Sequence, residues 1–201
     1  MRPETDALVA IDIQTDFCPG GALAVPGGDA VVGPANALMD DFATVVLSQD
    51  WHPAGHSSFA TSHPGKTPFE TVQMPYGTQV LWPDHCLQGS PGAAFHPGLR
   101  TDAAQMVVRK GFRPGIDSYS AFFENDQATP TGLHGYLRER GVSRVMLCGL
   151  ATDFCVAFSA LDAARLGYEV ELSLAATRGI DIDGSVEAAL QRMRGAGVRL
   201  V

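Results

Sequence analysis

Short apolar runs alternate along the chain with segments in which apolar residues recur at the spacing of a helix. The apolar runs are rich in β-branched residues and cover positions 7–12, 44–50, 105–110, 144–150, 168–175 and 198–201. The segments of helical period cover positions 29–42, 132–140, 155–166 and 184–195. Strands that alternate with helices are typical of βαβ units. The pattern therefore predicts an α/β fold with a mostly parallel sheet that is covered by helices on both faces.

The region between positions 51 and 100 departs from this pattern, because it is rich in proline, glycine and histidine. No internal repeat, low-complexity tract or linker divides the chain. A chain of 201 residues buries enough apolar surface for one core without disulfide bonds. We therefore expect a single domain over residues 1–201.

Composition and charge narrow the classes of partner. The formal net charge of −8 argues against nucleic acid or an anionic membrane. No apolar run is long enough for a membrane span, and the opening MRPETDALVAID lacks the apolar stretch of a secretory leader. The cysteines, at positions 18, 86, 148 and 155, show no CxxC spacing. These features predict a cytoplasmic protein with reduced thiols.

Candidate reactive side chains lie where four of the predicted strands end. Asp12 closes the run ALVAID, Asp50 closes TVVLSQD, Lys110 closes QMVVRK, and the turn GLATDFC ends the run RVMLCGL. In an open parallel sheet, ligands bind beyond the carboxyl ends of the strands. We therefore expect these groups to converge at one edge of the sheet.

The tetrapeptide TDFC occurs twice and ends once at Cys18 and once at Cys155. Cys155 stands at the predicted start of a helix, where free N–H groups favour a thiolate and can hold an oxyanion. Thr152 or Asp153 would cap that helix. Cys18 precedes Pro-Gly-Gly, where no helix can start. Cys155 is therefore the predicted nucleophile, and a small buried residue is the alternative interpretation.

A cysteine nucleophile needs a base that takes its proton. Asp12 is the candidate, because a carboxylate at the end of an apolar strand is costly to bury without a partner or a role. Lys110 is one of two lysines, and between Asp12 and Cys155 it would stabilise the thiolate and keep the carboxylate ionised. For each residue alone, a solvated position in a loop or at a strand end is the alternative.

A second group of candidates predicts a metal site. Asp50 and His52 point the same way in an extended segment, and His56 and His85 follow in the histidine-rich region. An Asp/His set with open positions suits Zn²⁺, Mn²⁺ or Fe²⁺. Solvated loop histidines are the alternative, and a metal-bound water would rival the thiol as nucleophile.

Aromatic residues accompany both groups of candidates. Phe17 follows the first TDFC aspartate, Trp82 shortly precedes His85, and Tyr119 lies in the segment DSYSAFF. Aromatic faces on two sides of a pocket hold a flat ring, so we expect a planar aromatic ligand. Core packing is the alternative for each ring taken alone.

Five segments carry a resemblance to a known family. They read IDIQTDFCPGGALAVPGGDAVV, SQDWHPAGHSSFATSHPG, LWPDHCLQGSPGAAFHPGL, KGFRPGIDSYSAFF and GLATDFCVAFSALDAARLGYEV. In order and spacing, from about Leu8 to Gly179, they resemble the nicotinamidase/pyrazinamidase branch of the isochorismatase-like cysteine hydrolases. The resemblance implies a three-layer α/β/α sandwich. It also implies hydrolysis of nicotinamide, and of pyrazinamide, to the acid and ammonia in NAD salvage.

The resemblance further implies roles for individual residues. The implied catalytic triad, which works through a thioester, is Asp12, Lys110 and Cys155. The implied oxyanion hole consists of the N–H groups of Ala151 and Cys155, next to a cis Leu150–Ala151 peptide bond. The implied metal ligands are Asp50, His52 and His85, with His56, Ser58 or water as further members of the shell. The implied pyridine pocket is formed by Phe17, Trp82 and Tyr119. The metal would orient the ring. Zn²⁺ is the expected metal, and Fe²⁺ or Mn²⁺ are the alternatives.

Several alternatives stay open at this point. The nearest is a sibling hydrolase of another small amide, although those branches generally lack the set Asp50, His52 and His85. A metal-water hydrolase with a structural Cys155 is another, and a non-catalytic metal- or ligand-binding protein on the same scaffold is a third. Nicotinamide is the expected small-molecule partner. Since small α/β enzymes are often symmetric oligomers, a homo-oligomer is an alternative to a monomer.

Overall fold

The computed structural model describes residues 1–201 and contains eight strands and four α-helices. The strands are β1 (Asp6–Ile11), β2 (Thr44–Asp50), β3 (Thr71–Met74), β4 (Gly77–Val80), β5 (Met106–Lys110), β6 (Arg144–Leu150), β7 (Glu169–Arg178) and β8 (Arg199–Leu200). The helices are α1 (Val32–Met39), α2 (Leu133–Glu139), α3 (Ala157–Arg165) and α4 (Ser185–Gly195). No helix is both long enough and apolar enough to cross a membrane.

The main sheet is doubly wound. Six strands are hydrogen-bonded in the order β5-β2-β1-β6-β7-β8, and every neighbouring pair runs parallel. From β1 the chain builds outward to β2 and β5, and it then returns to the other side of β1 and builds outward through β6, β7 and β8. The strand order thus reverses between β1 and β6, and open parallel sheets bind their ligands at such a point.

Both faces of the sheet are covered, because successive apolar residues of a strand point to opposite faces. On one face Val9 and Ile11 of β1 pack in a core with α2, α3 and α4. On the other face Leu8 and Ala10 pack in a core with α1 and parts of the region that follows β2. The predicted α/β fold, a three-layer α/β/α sandwich around a parallel sheet, is confirmed.

The proline- and glycine-rich region contains a hairpin that the sequence pattern did not predict. β3 and β4 pair antiparallel, with Thr71 opposite Val80 and Met74 opposite Gly77. Their residues are mostly exposed or half-buried and show no apolar alternation, so periodicity cannot detect them. The hairpin nevertheless carries one buried polar side chain, Gln79, towards the interior.

The remaining predicted elements agree with the observed ones apart from their ends. The segment 29–42 begins as a 3₁₀ turn over Gly28–Val31, and α1 stops at Met39, where two aspartates follow and an acidic side chain opposes the dipole of a helix end. The last long strand extends beyond position 175 to Arg178, after an irregular register opposite β6.

Candidate active site

The side chains at the strand ends meet around one buried ammonium group. Asp12 directly follows β1, whereas Asp50 and Lys110 are the last residues of β2 and β5. Lys110 Nζ lies 2.8 Å from Asp12 Oδ2 and 3.0 Å from Asp50 Oδ1. The lysine and both carboxylates are almost completely buried. Sheet topology therefore brings together three groups that are far apart in the sequence.

Lys110 also reaches the nucleophile candidate. Its Nζ donates to Cys155 Sγ at 3.4 Å and to the Ser118 carbonyl oxygen at 2.9 Å. Asp12 and Cys155 thus share one cationic neighbour. The predicted group of Asp12, Lys110 and Cys155 is in contact.

Asp12 is held in an unusual backbone conformation. Its φ is 45°, a left-handed value that a residue with a side chain rarely adopts. The Ser48 hydroxyl donates to Asp12 Oδ1 at 2.6 Å and accepts the Asp12 N–H at 3.2 Å. Such strain persists where the surroundings fix the geometry, and it is frequent at functional sites.

Burial sets the protonation of this group. Burial raises the pKa of the Cys155 thiol well above its ordinary value, against the opposing charge of Lys110. Burial likewise raises the pKa of Asp12, again opposed by Lys110. Burial alone would lower the pKa of Lys110, but Asp12 and Asp50 raise it well above its ordinary value. The resting group is therefore a neutral thiol beside a lysinium and a carboxylate that can take the thiol proton.

The turn that carries Cys155 differs from the predicted helix start. Residues Thr152–Val156 form a π-helical turn, and α3 begins only at Ala157. The predicted cap is wrong, since neither Thr152 nor Asp153 caps the turn. Both side chains are used elsewhere: Thr152 Oγ1 bonds Thr177 Oγ1 at 2.7 Å, and Asp153 accepts N–H groups of the segment after β7.

The expected oxyanion hole lies beside this turn. The Leu150–Ala151 peptide bond is cis, as the family resemblance implies. The Ala151 N–H makes no hydrogen bond within the protein, and Ala151 lines the same cleft as Cys155. A free buried N–H next to the nucleophile is a donor of the kind that holds an oxyanion.

Asp50 also belongs to a second cluster, with His52 and His85. One ligand atom from each of the three residues lies within 4.8 Å of the other two. Asp50 Oδ2 is 3.4 Å from His52 Nδ1 and 3.2 Å from His85 Nε2. All three side chains are buried, so the predicted ligands do converge.

In each imidazole, the nitrogen that points away from Asp50 has its own hydrogen-bond partner. That partner indicates which ring nitrogen carries a hydrogen and which can offer a lone pair towards Asp50. His85 Nδ1 donates to the Pro83 carbonyl at 2.8 Å, since a carbonyl can only accept. His52 Nε2 lies 3.1 Å from Asp117 Oδ1, and His52 Nδ1 is buried without a hydrogen-bond partner. In their neutral forms, the two imidazoles would therefore direct two lone pairs towards the Asp50 carboxylate. Two imidazole nitrogens and one carboxylate form the donor set of a divalent cation.

The charges around the cluster favour a positive charge within it, which is a proton on His52 when no cation is bound. Burial alone would lower the pKa of His52, but Asp50 and Asp117 raise it. Burial would raise the pKa of Asp50, but His52 and Lys110 hold it well below its usual range. The cluster thus attracts positive charge, and its residues fit a divalent metal ion.

His56 and Ser58 lie next to this cluster but bond to each other. His56 Nδ1 is 2.7 Å from Ser58 Oγ, and His56 Nε2 donates to the Arg113 carbonyl at 2.9 Å. His56 lies close enough to His52 and Asp117 to form a ligand group by distance. However, both of its ring nitrogens are already engaged, so this geometry leaves His56 no lone pair for a cation.

A cleft opens above the thiol and beside the cluster of Asp50, His52 and His85. The three predicted aromatic residues, Phe17, Trp82 and Tyr119, all line it. Trp82 Nε1 donates to the Tyr119 hydroxyl at 3.2 Å, and Phe17 stands 5.5 Å from the His85 ring. The cleft therefore offers a narrow apolar space between a thiol and a cation site.

Other residues of the cleft were not predicted. Phe154 stands edge-on to Trp82 with ring centroids 4.8 Å apart, and its position beside Cys155 was a usable signal.

Asp117 bonds His52 and lies two positions before Tyr119 in the segment DSYSAFF. Gln79 donates to Asp117 Oδ2 at 2.7 Å and to the Tyr119 hydroxyl at 2.9 Å. No sequence signal pointed to Gln79, because the hairpin that carries it was not predicted.

Comparison with known proteins places the chain in a family context. An isochorismatase domain matches residues 6–201. The nicotinamidase of Acinetobacter baylyi is 50% identical over 195 residues, which are 97% of this chain and 91% of that protein. The chain is therefore similar to that enzyme over nearly the whole length of both.

Solved structures agree with this similarity. A nicotinamidase/pyrazinamidase of Acinetobacter baumanii superposes with a TM-score of 0.99 at 52% identity, over 100% of this chain and 97% of the other. The pyrazinamidase of Pyrococcus horikoshii in complex with zinc has a TM-score of 0.79 at 38% identity, over 99% of both chains.

Proposed function

The chain belongs to the isochorismatase domain family, and from that premise we propose that it is an amidohydrolase of nicotinamide. It releases nicotinate and ammonia and acts on pyrazinamide in the same way. Relatives that match it nearly end to end carry the name nicotinamidase. The product nicotinate returns to NAD, so the enzyme serves NAD salvage.

One observation carries the proposal. Lys110 Nζ lies between Asp12 Oδ2, at 2.8 Å, and Cys155 Sγ, at 3.4 Å, at the floor of a cleft walled by aromatic rings. A buried ammonium stabilises both the carboxylate before proton transfer and the thiolate after it. This arrangement supports covalent catalysis on a small flat amide.

The first half-reaction forms a thioester. Asp12 takes the proton of Cys155, and the sulfur forms a bond to the carboxamide carbon. The carbonyl oxygen becomes an oxyanion that the N–H groups of Ala151 and Cys155 hold. When the oxyanion collapses, the C–N bond breaks, and protonated Asp12 gives its proton to the nitrogen, which leaves as ammonia.

The second half-reaction restores the enzyme. Water attacks the thioester carbon while Asp12 takes a proton from that water. The carbon–sulfur bond breaks, protonated Asp12 returns its proton to the Cys155 sulfur, and nicotinic acid leaves and ionises to nicotinate. Lys110 stays protonated throughout and stabilises the sulfur anion. Asp12 thus acts twice as a base and twice as an acid, a role that suits a carboxyl group whose pKa burial raises.

We propose Asp50, His52 and His85 as the ligands of one divalent ion, with Zn²⁺ as the metal, in line with the zinc complex of the Pyrococcus horikoshii relative. Such an ion supplies a Lewis acid that accepts the pyridine nitrogen and so orients the ring. Phe17, Trp82 and Tyr119 enclose the ring. Water would complete the shell of such an ion, because His56 and Ser58 bond to each other.

We also place the enzyme, a single domain over 1–201, in the cytoplasm. Its four cysteines are free thiols, and reducing compartments keep thiols in that form. A role in salvage of a small metabolite fits the same compartment.

Ammonia release from nicotinamide tests the proposal. It is measured for the wild-type protein and for Cys155→Ala, before and after chelation and again after Zn²⁺ is added back. We expect turnover in the wild type, a loss of about 10⁴-fold or more in Cys155→Ala, and a chelation loss that Zn²⁺ reverses.

The other outcomes separate the rival functions. Metal-dependent turnover that survives in Cys155→Ala would assign the attack to a bound water. No ammonia from the wild type would remove nicotinamide as substrate and leave a sibling amidase. A metal-loaded protein that binds nicotinamide without turnover would indicate a binding protein.

A further inference from the structure

The two TDFC segments have the same arrangement in the structure, although they lie in different parts of the fold. In each one the aspartate carboxylate accepts two backbone N–H groups, at least one of them from a distant loop, and the phenylalanine that follows lines the cleft. The pairs are Asp16 with Phe17 and Asp153 with Phe154. Neither aspartate takes part in the proposed reaction, so their shared geometry needs a separate explanation.

Asp16 fixes the peptide that joins the two histidine ligands. Its Oδ2 accepts the Cys86 N–H at 2.7 Å. Cys86 directly follows His85, has a left-handed φ of 47°, and its carbonyl accepts the His52 N–H at 3.0 Å. One carboxylate therefore holds Cys86, the strained residue through which the backbones of His85 and His52 are connected.

The surroundings of Asp16 are built to hold that carboxylate in place. Its Oδ1 accepts the Ala22 N–H at 3.1 Å, and its own N–H donates to the Gly92 carbonyl at 3.0 Å. A Cβ atom at Gly92 would lie 2.1 Å from Asp16 Oδ2. Glycine at position 92 therefore lets a second loop pass directly against the carboxylate.

Asp153 makes the equivalent connection on the side of the nucleophile. Its carboxylate accepts the N–H groups of Ile180 at 3.0 Å and of Asp181 at 2.8 Å, and the Ser185 hydroxyl at 2.5 Å. Its side chain is only 2% exposed. Ile180 lines the cleft, so Asp153 fixes that wall to the turn that carries Cys155.

We infer that Asp16 and Asp153 are positioning residues for two different walls of the cleft. Asp16 holds the metal-ligand wall through Cys86, and Asp153 holds the wall formed by Ile180 against the nucleophile turn. The kinetic consequences rest on the proposed reaction and the consequences for Zn²⁺ binding rest on the proposed metal site, whereas the consequences for loop mobility rest on neither.

Three asparagine variants test the inference: Asp16→Asn, Asp153→Asn and, as a control, Asp102→Asn at an exposed site. Asparagine keeps the shape of aspartate but replaces one acceptor oxygen with a donor. The measurements are the Zn²⁺ dissociation constant, the visible spectrum of the Co²⁺-loaded protein, kcat and KM at saturating Zn²⁺, and amide hydrogen exchange of residues 179–185.

The two variants should fail in different ways. Asp16→Asn should weaken Zn²⁺ binding about tenfold, the scale seen when hydrogen-bond partners that orient metal ligands are removed, and should change the Co²⁺ spectrum. Asp153→Asn should leave Zn²⁺ affinity unchanged, speed exchange in residues 179–185, and raise KM about tenfold with a smaller change in kcat. Asp102→Asn should match the wild type in every measurement.

Wild-type Zn²⁺ affinity and an unchanged Co²⁺ spectrum in Asp16→Asn would overturn the assignment of Asp16. Unchanged exchange in Asp153→Asn would overturn that of Asp153. If Asp16→Asn does not fold, Gly92→Ala replaces it, because the added methyl displaces the same carboxylate; wild-type Zn²⁺ affinity there would also overturn the assignment. A wild-type protein that releases no ammonia would contradict the proposed function but not this inference, since Zn²⁺ binding and amide hydrogen exchange remain measurable.

Discussion

Lys110 is the residue on which the site depends most directly, because it is the one cation between two buried carboxylates and a thiol. Its removal would leave Asp12 and Asp50 as neighbouring buried charges. Breaking one partner of a buried ion pair typically destabilises a protein by about 3–5 kcal/mol. We therefore expect Lys110→Ala to lose activity and stability together.

Urea denaturation measures the stability part of this prediction. The other lysine provides a matched control, since Lys66 pairs with Glu70 at the surface, and Lys66→Ala should leave both the unfolding midpoint and the activity unchanged. A Lys110→Ala protein as stable as the wild type would mean that the carboxylates do not depend on the ammonium.

The pH dependence of activity follows from Asp12. Burial raises the pKa of Asp12 above its ordinary 3.8, and a general base must be ionised. As the pH falls, kcat/KM for nicotinamide should therefore decline through a midpoint above 3.8. The Ser48 hydroxyl bonds the ionised carboxylate and lowers its pKa, so Ser48→Ala should move this midpoint to still higher pH.

Profiles of kcat/KM against pH for the wild type and Ser48→Ala check these midpoints. Circular dichroism at each pH confirms that both proteins are folded. A midpoint in Ser48→Ala that is equal to or below that of the wild type would contradict the role of Asp12 as the titrating base.

At the scale of the elements, the contact between β1 and β6 is the tightest constraint on the site. Gly149 of β6 has a φ of 108°, and a Cβ atom there would lie 2.0 Å from the carbonyl oxygen of Ile11. Gly149→Ala should therefore destabilise the protein by about 3 kcal/mol or more, because a backbone atom cannot move aside.

A second glycine gives the opposite expectation. Gly135 lies inside α2 with nothing near a would-be Cβ atom. Gly135→Ala should stabilise by about 0.5–1 kcal/mol, since glycine is the less favourable residue in a helix interior. Thermal and urea unfolding of the two variants measure these effects. A change of stability in the same direction for Gly149→Ala and Gly135→Ala would contradict both expectations taken together.

Most elements could be predicted from sequence because the central strands are buried on both faces and read as continuous apolar runs. The convergence of Asp12, Asp50 and Lys110 could be predicted as well, since carboxyl ends of parallel strands share an edge. The hairpin β3–β4 and its Gln79 could not, because two short half-exposed strands leave no apolar period. The bonding partners of Asp16 and Asp153 could not be predicted for another reason: each carboxylate accepts N–H groups of loops that only the folded chain brings near.

At the scale of the whole molecule, the metal cluster should contribute to stability. An ion that binds only the folded state at a concentration of 100 Kd stabilises it by about 2.7 kcal/mol. We expect Zn²⁺ to raise the melting temperature of the chelated protein, and His85→Ala to abolish that rise. His96→Ala, outside the cluster, should keep it. An equal Zn²⁺ response in His85→Ala would place the ion elsewhere.

The central position of β1 also has a consequence for how the chain reaches its native state. Asp6 pairs with Arg144, 138 positions further along the chain, so the middle of the sheet closes only after most of the polypeptide exists. Long-range pairing of this kind slows folding. A nascent chain on the ribosome can hold β1 and β2 but cannot join Asp12 to Cys155 until the second half has emerged. Recovery of activity on refolding therefore reports the closing of the β1–β6 seam, and catalysis begins when the two halves of the chain meet.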